Sequence, residues 1–205
     1  MLVIGIAGGI ACGKSSVAEC FQRLGATVLN ADQIGHQILY EPSVKQQIRE
    51  NWGESTFVNG EVDRSALGRI VFDPLRGDSE LAKLEQITHP LIGQRISDAL
   101  SHLEQENLPA VVLDAPVMFK AGWDRLCDKI VFVHAEEAIR QQRVAERGWL
   151  PEELKRREVR QVSIATKRSR ATDVIDNSLS IKETFLQIEA LWHRWRLPEP
   201  ESKPT

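Results

Sequence analysis

Apolar residues fall along this chain in two kinds of run. Leu2-Val3-Ile4-Gly5-Ile6-Ala7, Ala110-Val111-Val112-Leu113 and Ile130-Val131-Phe132-Val133 are unbroken, the pattern of strands buried on both faces of a parallel sheet. Elsewhere the spacing is helical. Val17, Phe21 and Leu24 form the inner stripe of a helix that Gly25 is placed to end, a further helix starts at about Glu136, and Phe185, Ile188 and Trp192 mark a terminal helix reaching about Trp195. Ala26 to Asn30 and Thr172 to Asn177 add short β-rich stretches. Strands alternating with helices predict an α/β fold around a parallel central sheet flanked by helices.

The stretch 33–84 breaks that alternation. Its patterns are mostly helical, punctuated by turn signals at Glu41-Pro42, Asn59-Gly60 and Asp73-Pro74, and it reads as a helical insertion. Leu84, Ile87, Leu91, Ile96 and Leu100 then predict a helix that Pro90 bends or interrupts. At the other end, residues 197–205 are rich in proline and charge, and a disordered tail is expected.

Composition narrows the class. With 205 residues, 42% of them hydrophobic, the chain suits one α/β domain with insertions. A net charge of -3 argues against nucleic acid or an anionic membrane as the main partner. Three cysteines, Cys12, Cys20 and Cys127, have no C-x-x-C spacing and fit a reducing compartment. No targeting or membrane-spanning run is visible, so a cytoplasmic protein is expected.

Chemistry enters directly after the first strand. Gly8-Gly9-Ile10-Ala11-Cys12-Gly13-Lys14-Ser15 spells G-x-x-x-x-G-K-S between a strand pattern and a helix pattern, the context that gives a P-loop its meaning. Glycines let the backbone curl around phosphate oxygens and aim successive N–H groups at them, at the positive end of the following helix. Lys14 then reaches the β- and γ-phosphates and Ser15 holds magnesium. Two acids stand at strand ends. Asp114 closes an apolar strand in the Walker B manner, and Asp32 follows the second strand, where ligands gather in open α/β sheets; a solvated loop carboxylate is the competing reading of Asp32. His134 has no partner at metal-ligand spacing and reads as a strand-end residue.

Between Arg140 and Arg170 the chain is markedly basic, with Arg143, Arg147, Lys155, Arg156, Arg157, Arg160, Lys167 and Arg168 among its cations. A solvated helical face, an RNA-binding surface and a phosphate-covering lid are the three readings; the neighbouring P-loop adds weight to the lid. Cys12 has two readings as well. Beside Lys14 and a helix N-terminus it is a candidate reactive thiol; turned inward it is an inert filler of a small slot.

Assembled, these residues resemble the dephospho-coenzyme A kinase family over about Val3 to Trp192. The matching parts are the GGI-x-x-GKS loop, Asp32, Val62-Asp63-Arg64 with Leu67 and Ile70-Val71-Phe72, His89-Pro90-Leu91-Ile92, Asp114-Ala115-Pro116, and Asp173-Val174-Ile175-Asp176-Asn177. The resemblance implies a P-loop kinase fold of the nucleoside-monophosphate-kinase type. Its core would be 1–32, 85–135 and 171–196, its helical substrate-binding region 33–84 and its lid 136–170. It implies transfer of the γ-phosphoryl of ATP, with Mg2+, to the ribose 3′-hydroxyl of dephospho-coenzyme A; nucleic-acid and membrane partners are not expected, and the oligomeric state is open, with a monomer favoured. Carried over residue by residue, Asp32, Lys14 and Arg143 would be catalytic. Gly8, Gly9, Ala11, Cys12, Gly13, Lys14, Ser15 and Ser16 would bind ATP together with Arg147 and Asn177. Asp32, Arg64, His89, Pro116 and Gln161 would bind the acceptor, and Ser15 and Asp114 would bind the metal.

The chain departs from the family pattern at Asn30, where an acid is common, at Ala11-Cys12, at Thr172 and at Lys120, where the usual charge is reversed. Rival readings are a GTPase-like switch, since Asp32-Gln33-Ile34-Gly35 matches D-x-x-G, and another small-molecule kinase of the same architecture. The D-x-x-G sits too early and no N-K-x-D guanine motif occurs. An acid on the acceptor side favours a hydroxyl acceptor over a phosphate.

Overall fold

β1 (Leu2–Gly8) is apolar throughout, feeds a loop over residues 9–13, and is followed by α1 (Lys14–Arg23), β2 (Thr27–Asn30) and α2 (Ala31–Ile38). The computed structural model describes residues 1–73, 75–149, 151–159 and 161–198, without the side chains of Pro151, Lys155 and Arg156. α3 (Pro42–Trp52) is followed by a hairpin of β3 (Phe57–Val58) and β4 (Glu61–Val62), then by α4 (Arg64–Val71) and α5 (Gly77–Glu104). The chain continues through β5 (Ala110–Asp114), α6 (Met118–Ala121), β6 (Lys129–His134), α7 (Glu137–Glu146) and α8 (Pro151–Val159). It ends with α9 (Ile164–Ser169), β7 (Asp173–Asp176) and α10 (Ile181–Arg194).

The main sheet has the order β2-β5-β1-β6-β7, and every neighbouring pair is parallel. The order reverses at β1: β5 lies on one side of it and β6 on the other. Such a switch point opens a crevice beyond the carboxyl ends of the strands, where the loop after β1 stands.

Contact density divides the chain into residues 1–30 with 100–205 and residues 31–99. In the first unit, Ile4, Ile6, Val112, Val131, Val133 and Ile175 from the sheet are buried with Val17 and Phe21 of α1 and Ile188 and Trp192 of α10. Burying each such side chain is worth about 1.5–3 kcal/mol. The helix ends are fixed locally: Gly25 (φ +103) follows α1, and Ser180 with Glu183 forms a capping box on α10. Leu197 packs against this core and the Pro198 carbonyl accepts from Trp192 Nε1 at 2.7 Å; the remainder of the expected tail, 199–205, lies outside the described residues.

In the second unit the Asn59-Gly60 signal makes the turn of the β3–β4 hairpin, with both residues at positive φ, inside a region whose pattern is mostly helical. Of the two outcomes expected at Pro90, a bend or an interruption, the interruption does not occur: α5 runs through it. Proline removes one helical donor, and in a long helix that loss stays local while Ile92 and Ile96, both within the next two turns, are buried.

Candidate active site

The loop over residues 8–13 is held by its carbonyls. Gly8 O accepts from Lys167 Nζ at 3.2 Å, Gly9 O from Lys14 Nζ at 3.0 Å and Ile10 O from Arg140 Nε at 2.9 Å. Arg143 Nη1 donates to Ala11 O at 3.4 Å and to Cys12 O at 3.2 Å, and Asn177 Nδ2 donates to Cys12 O at 2.8 Å. Five consecutive carbonyls are thus engaged by four cationic side chains and one amide. In a planar trans peptide the N–H points opposite to the carbonyl, so tying the carbonyls also fixes the direction of the N–H groups from Gly9 to Gly13. Ala11 holds the left-handed conformation at φ +60, a strained state for a residue with a Cβ, and both Gly8 and Gly13 have positive φ.

At the loop's end Gly13 is the N-cap of α1, with no side-chain cap and no acidic residue in the first turn. The helix N-terminus therefore keeps its donors and its positive partial charge for an external anion. A Cβ on Gly13 would lie 2.0 Å from Asn177 Nδ2, so close packing there demands glycine. Asn177 is itself buried, with Thr184 Oγ1 donating to its Oδ1 at 2.8 Å and Arg143 Nη2 donating to its carbonyl at 3.0 Å. Its side chain thus braces the loop backbone.

Ser15 is exposed in the first turn of α1, and Ser16 is half-buried beside it. Asp114 ends β5, paired in register with Ile6 of β1 on one side and Asn30 of β2 on the other. Asn30 Nδ2 reaches its Oδ2 at 3.5 Å. An acid at position 30 would set two carboxylates side by side, whereas the amide leaves Asp114 the charged member. One hydroxyl and one carboxylate next to an anion-binding loop fit Mg2+, which keeps waters and phosphate oxygens as its other ligands. Among the described residues no group of three His, Cys, Asp or Glu side chains could hold a metal.

A phosphate-binding loop on the central strand of a parallel sheet is shared by many kinases, and comparison with known proteins separates them. The family profile of dephospho-CoA kinase matches residues 2–183. The chain belongs to the dephospho-CoA kinase family. A dephospho-CoA kinase of Symbiobacterium thermophilum is 38% identical over 196 residues, covering 94% of this chain and 80% of that one. A crystal structure from Thermus thermophilus matches with a TM-score of 0.77 and 31% identity over 94% of this chain and 97% of its own. The dephospho-CoA kinase from Campylobacter jejuni follows at TM-score 0.71 and 27% identity, covering 94% and 96%. The α/β architecture is that of P-loop kinases.

The remaining residues expected from the dephospho-CoA kinase resemblance are spread over several elements. Asp32 is exposed in the first turn of α2, which starts directly after β2 with no intervening loop. Arg64, also exposed, is the first residue of α4, whose N-terminus Asp63 caps by accepting from Ser65 N and Ala66 N. His89 is half-buried in α5, and Pro116 is half-buried just past β5. Of the two arginines expected at phosphates, Arg143 lies on the loop while Arg147 is exposed at the C-cap of α7. Gln161 Oε1 accepts from Lys167 Nζ at 2.6 Å, and Arg160 lies outside the described residues.

Two residues of this family member escaped the sequence reading as site residues, Arg140 and Lys167. Both sat in the basic stretch, where charge alone does not tell a solvated face from an inward one. Arg140 pairs with Glu158 of α8, and Lys167, buried, reaches Gly8. Cys12 resolves to the inert reading: it is 1% exposed within the core cluster.

Proposed function

We infer that this chain transfers the γ-phosphoryl group of ATP to the ribose 3′-hydroxyl of dephospho-coenzyme A, giving coenzyme A and ADP. The observation that carries the reading is the loop over residues 8–13, whose five tied carbonyls commit its N–H groups to an anion, in a chain that belongs to the dephospho-CoA kinase family. Phosphoryl transfer of this kind asks the protein for position and charge more than for covalent chemistry.

Lys14 leaves the Gly9 carbonyl for the β- and γ-phosphates, and the open N-terminus of α1 supports the same charge. Arg143, whose Nη1 and Nη2 hold the Ala11, Cys12 and Asn177 carbonyls, adds a fixed positive charge beside the phosphates from the side of α7. Asp32 takes the proton of the 3′-hydroxyl as its oxygen forms the new bond to phosphorus and the bond to the β-phosphate oxygen breaks. Ser15 and Asp114 would hold Mg2+, which when bound offsets the charge that develops on the phosphates. A cleft of 420 Å³ in the second unit, lined by apolar Ile34, Ile38 and Pro42 with Tyr40, Gln37 and the Arg95–Glu41 pair, supports acceptor binding by that unit, because it mixes apolar walls with hydrogen-bonding groups. Arg64, His89, Pro116 and Gln161 complete the acceptor side, and Arg147, Asn177 and Ser16 the nucleotide side.

The test is phosphorus NMR of the product formed from ATP, Mg2+ and dephospho-coenzyme A. A new 3′-phosphomonoester that Lys14→Ala abolishes supports the reading, and an unchanged acceptor in the presence of folded wild-type protein refutes it.

A further inference from the structure

Lys167 is only 4% exposed, and lysines are seldom buried so far without an ionic partner. Its two acceptors, the Gly8 carbonyl at 3.2 Å and the Gln161 side-chain oxygen at 2.6 Å, are both neutral. The charged neighbours divide by sign. Lys14 and Arg140 oppose its ammonium, Glu158 favours the charge, and the Cys12 side chain lies near it as well. The Lys167 ammonium is therefore held behind the first peptide of the phosphate loop in a setting short of negative charge. A bound triphosphate would supply that charge.

We propose that Lys167 is a positioning residue for ATP: its ammonium fixes the Gly8–Gly9 peptide with the Gly9 N–H facing the phosphates, and places beneath the loop a buried charge that the triphosphate balances. Gln161 holds the lysine from the chain segment between α8 and α9, so the loop and that segment share one hydrogen-bonded cation. The inference rests on the reading of residues 8–15 as the ATP site.

Proton linkage gives the proposal a signature. Burial first, and then the Lys14 charge, pull the Lys167 pKa down to about 8 in the free protein. Phosphates nearby favour the ammonium, so the pKa is higher in the complex. Below about pH 8 both forms carry the proton and affinity is flat. As pH rises through that value the free protein loses the proton first, binding must take it up again, and affinity falls by up to about tenfold per pH unit.

Titration calorimetry with ATP and Mg2+ tests this on the full chain, comparing wild type, Lys167→Arg and Lys167→Met at pH 7.5 and 9.5, with folding of each checked by thermal denaturation. At pH 8.5, two buffers of different ionisation heat count the protons taken up. Wild type should weaken about tenfold across the range with proton uptake, in line with the linkage slope. Lys167→Arg should bind like wild type at pH 7.5 and lose the pH dependence, since guanidinium stays charged. Lys167→Met should bind about tenfold or more weakly at pH 7.5, the scale of a hydrogen bond to a charged group, raising the KM for ATP while leaving that for dephospho-coenzyme A unchanged. A folded Lys167→Met variant binding within twofold of wild type would overturn the proposal. So would a pH slope that survives in Lys167→Arg, and this comparison decides alone if the Met variant does not fold. Wild type that binds no ATP at any pH would instead remove the ATP-site reading beneath it.

Discussion

The side-chain amide of Asn177 donates to the carbonyl of Cys12 at 2.8 Å across 165 positions of sequence, pinning the last strand's exit to the phosphate loop. Both partners are buried, and Thr184 satisfies the other end of the amide. Asn177→Ala should therefore destabilise the fold by about 1–3 kcal/mol, the cost of leaving buried polar groups unpaired, and should weaken ATP binding with it. Urea unfolding monitored with and without ATP measures both.

Gly13→Ala should abolish tight ATP binding, because the new methyl lies 2.0 Å from Asn177 Nδ2 at a φ of +91 that residues with a Cβ avoid. The two sites touch, so their effects should not add. In a double-mutant cycle, Gly13→Ala combined with Asn177→Ala should cost less than the sum of the singles, since removing the amide relieves the clash. Strict additivity would mean that strain at φ, and not the contact, demands glycine.

Arg143→Lys should lower kcat/KM although the charge is kept. Guanidinium spans Cys12 O at 3.2 Å and Asn177 O at 3.0 Å with two separate nitrogens, and the single, differently placed nitrogen of a lysine does not reproduce that fork. A loss of about tenfold or more is expected, the scale of one hydrogen bond to a charged group. The matched change Arg147→Lys, at an exposed position, should fall short of it; steady-state kinetics of the pair tests this.

The cysteines should react slowly with thiol reagents in the native state. Cys12 and Cys20 are buried, and burial pushes the Cys20 thiol up. Burial, followed by the charges of Asp124 and Asp128, raises the Cys127 pKa to about 12. The reactive thiolate of Cys127 is therefore scarce at pH 7 to 9 and grows as pH climbs toward that value. Mass-spectrometric labelling at pH 8 should find little modification until denaturant is added. Rapid labelling of Cys12 that ATP prevents would restore the reactive reading of that residue.

The sheet was readable because its inner strands are covered on both faces and so carry unbroken apolar runs. Ala110–Asp114 and Lys129–His134 fall where that pattern put them. The phosphate loop was equally legible, since its glycines, lysine and serine are required by backbone geometry at fixed spacing. The inward role of Lys167 was not, because a lysine inside a basic stretch looks the same whether its ammonium meets water or the Gly8 carbonyl. The hairpin at Asn59-Gly60 was missed for a different reason: strands of two residues are too short to show alternation. The continuity of α5 through Pro90 was not legible because a local penalty does not end a helix whose following residues, Ile92 and Ile96, are buried.

The central claim is the transfer of phosphoryl from ATP to the 3′-hydroxyl of dephospho-coenzyme A. A coupled ADP-release assay with the purified chain, ATP and Mg2+, offering dephospho-coenzyme A, adenosine, AMP and shikimate in turn, tests it most directly. The account predicts turnover with dephospho-coenzyme A far above the other acceptors, falling about 10²–10⁴-fold in Asp32→Asn while ATP affinity is retained, the usual scale for losing a general base. Activity confined to AMP, or an Asp32→Asn variant altered only in its apparent KM for ATP, would contradict it.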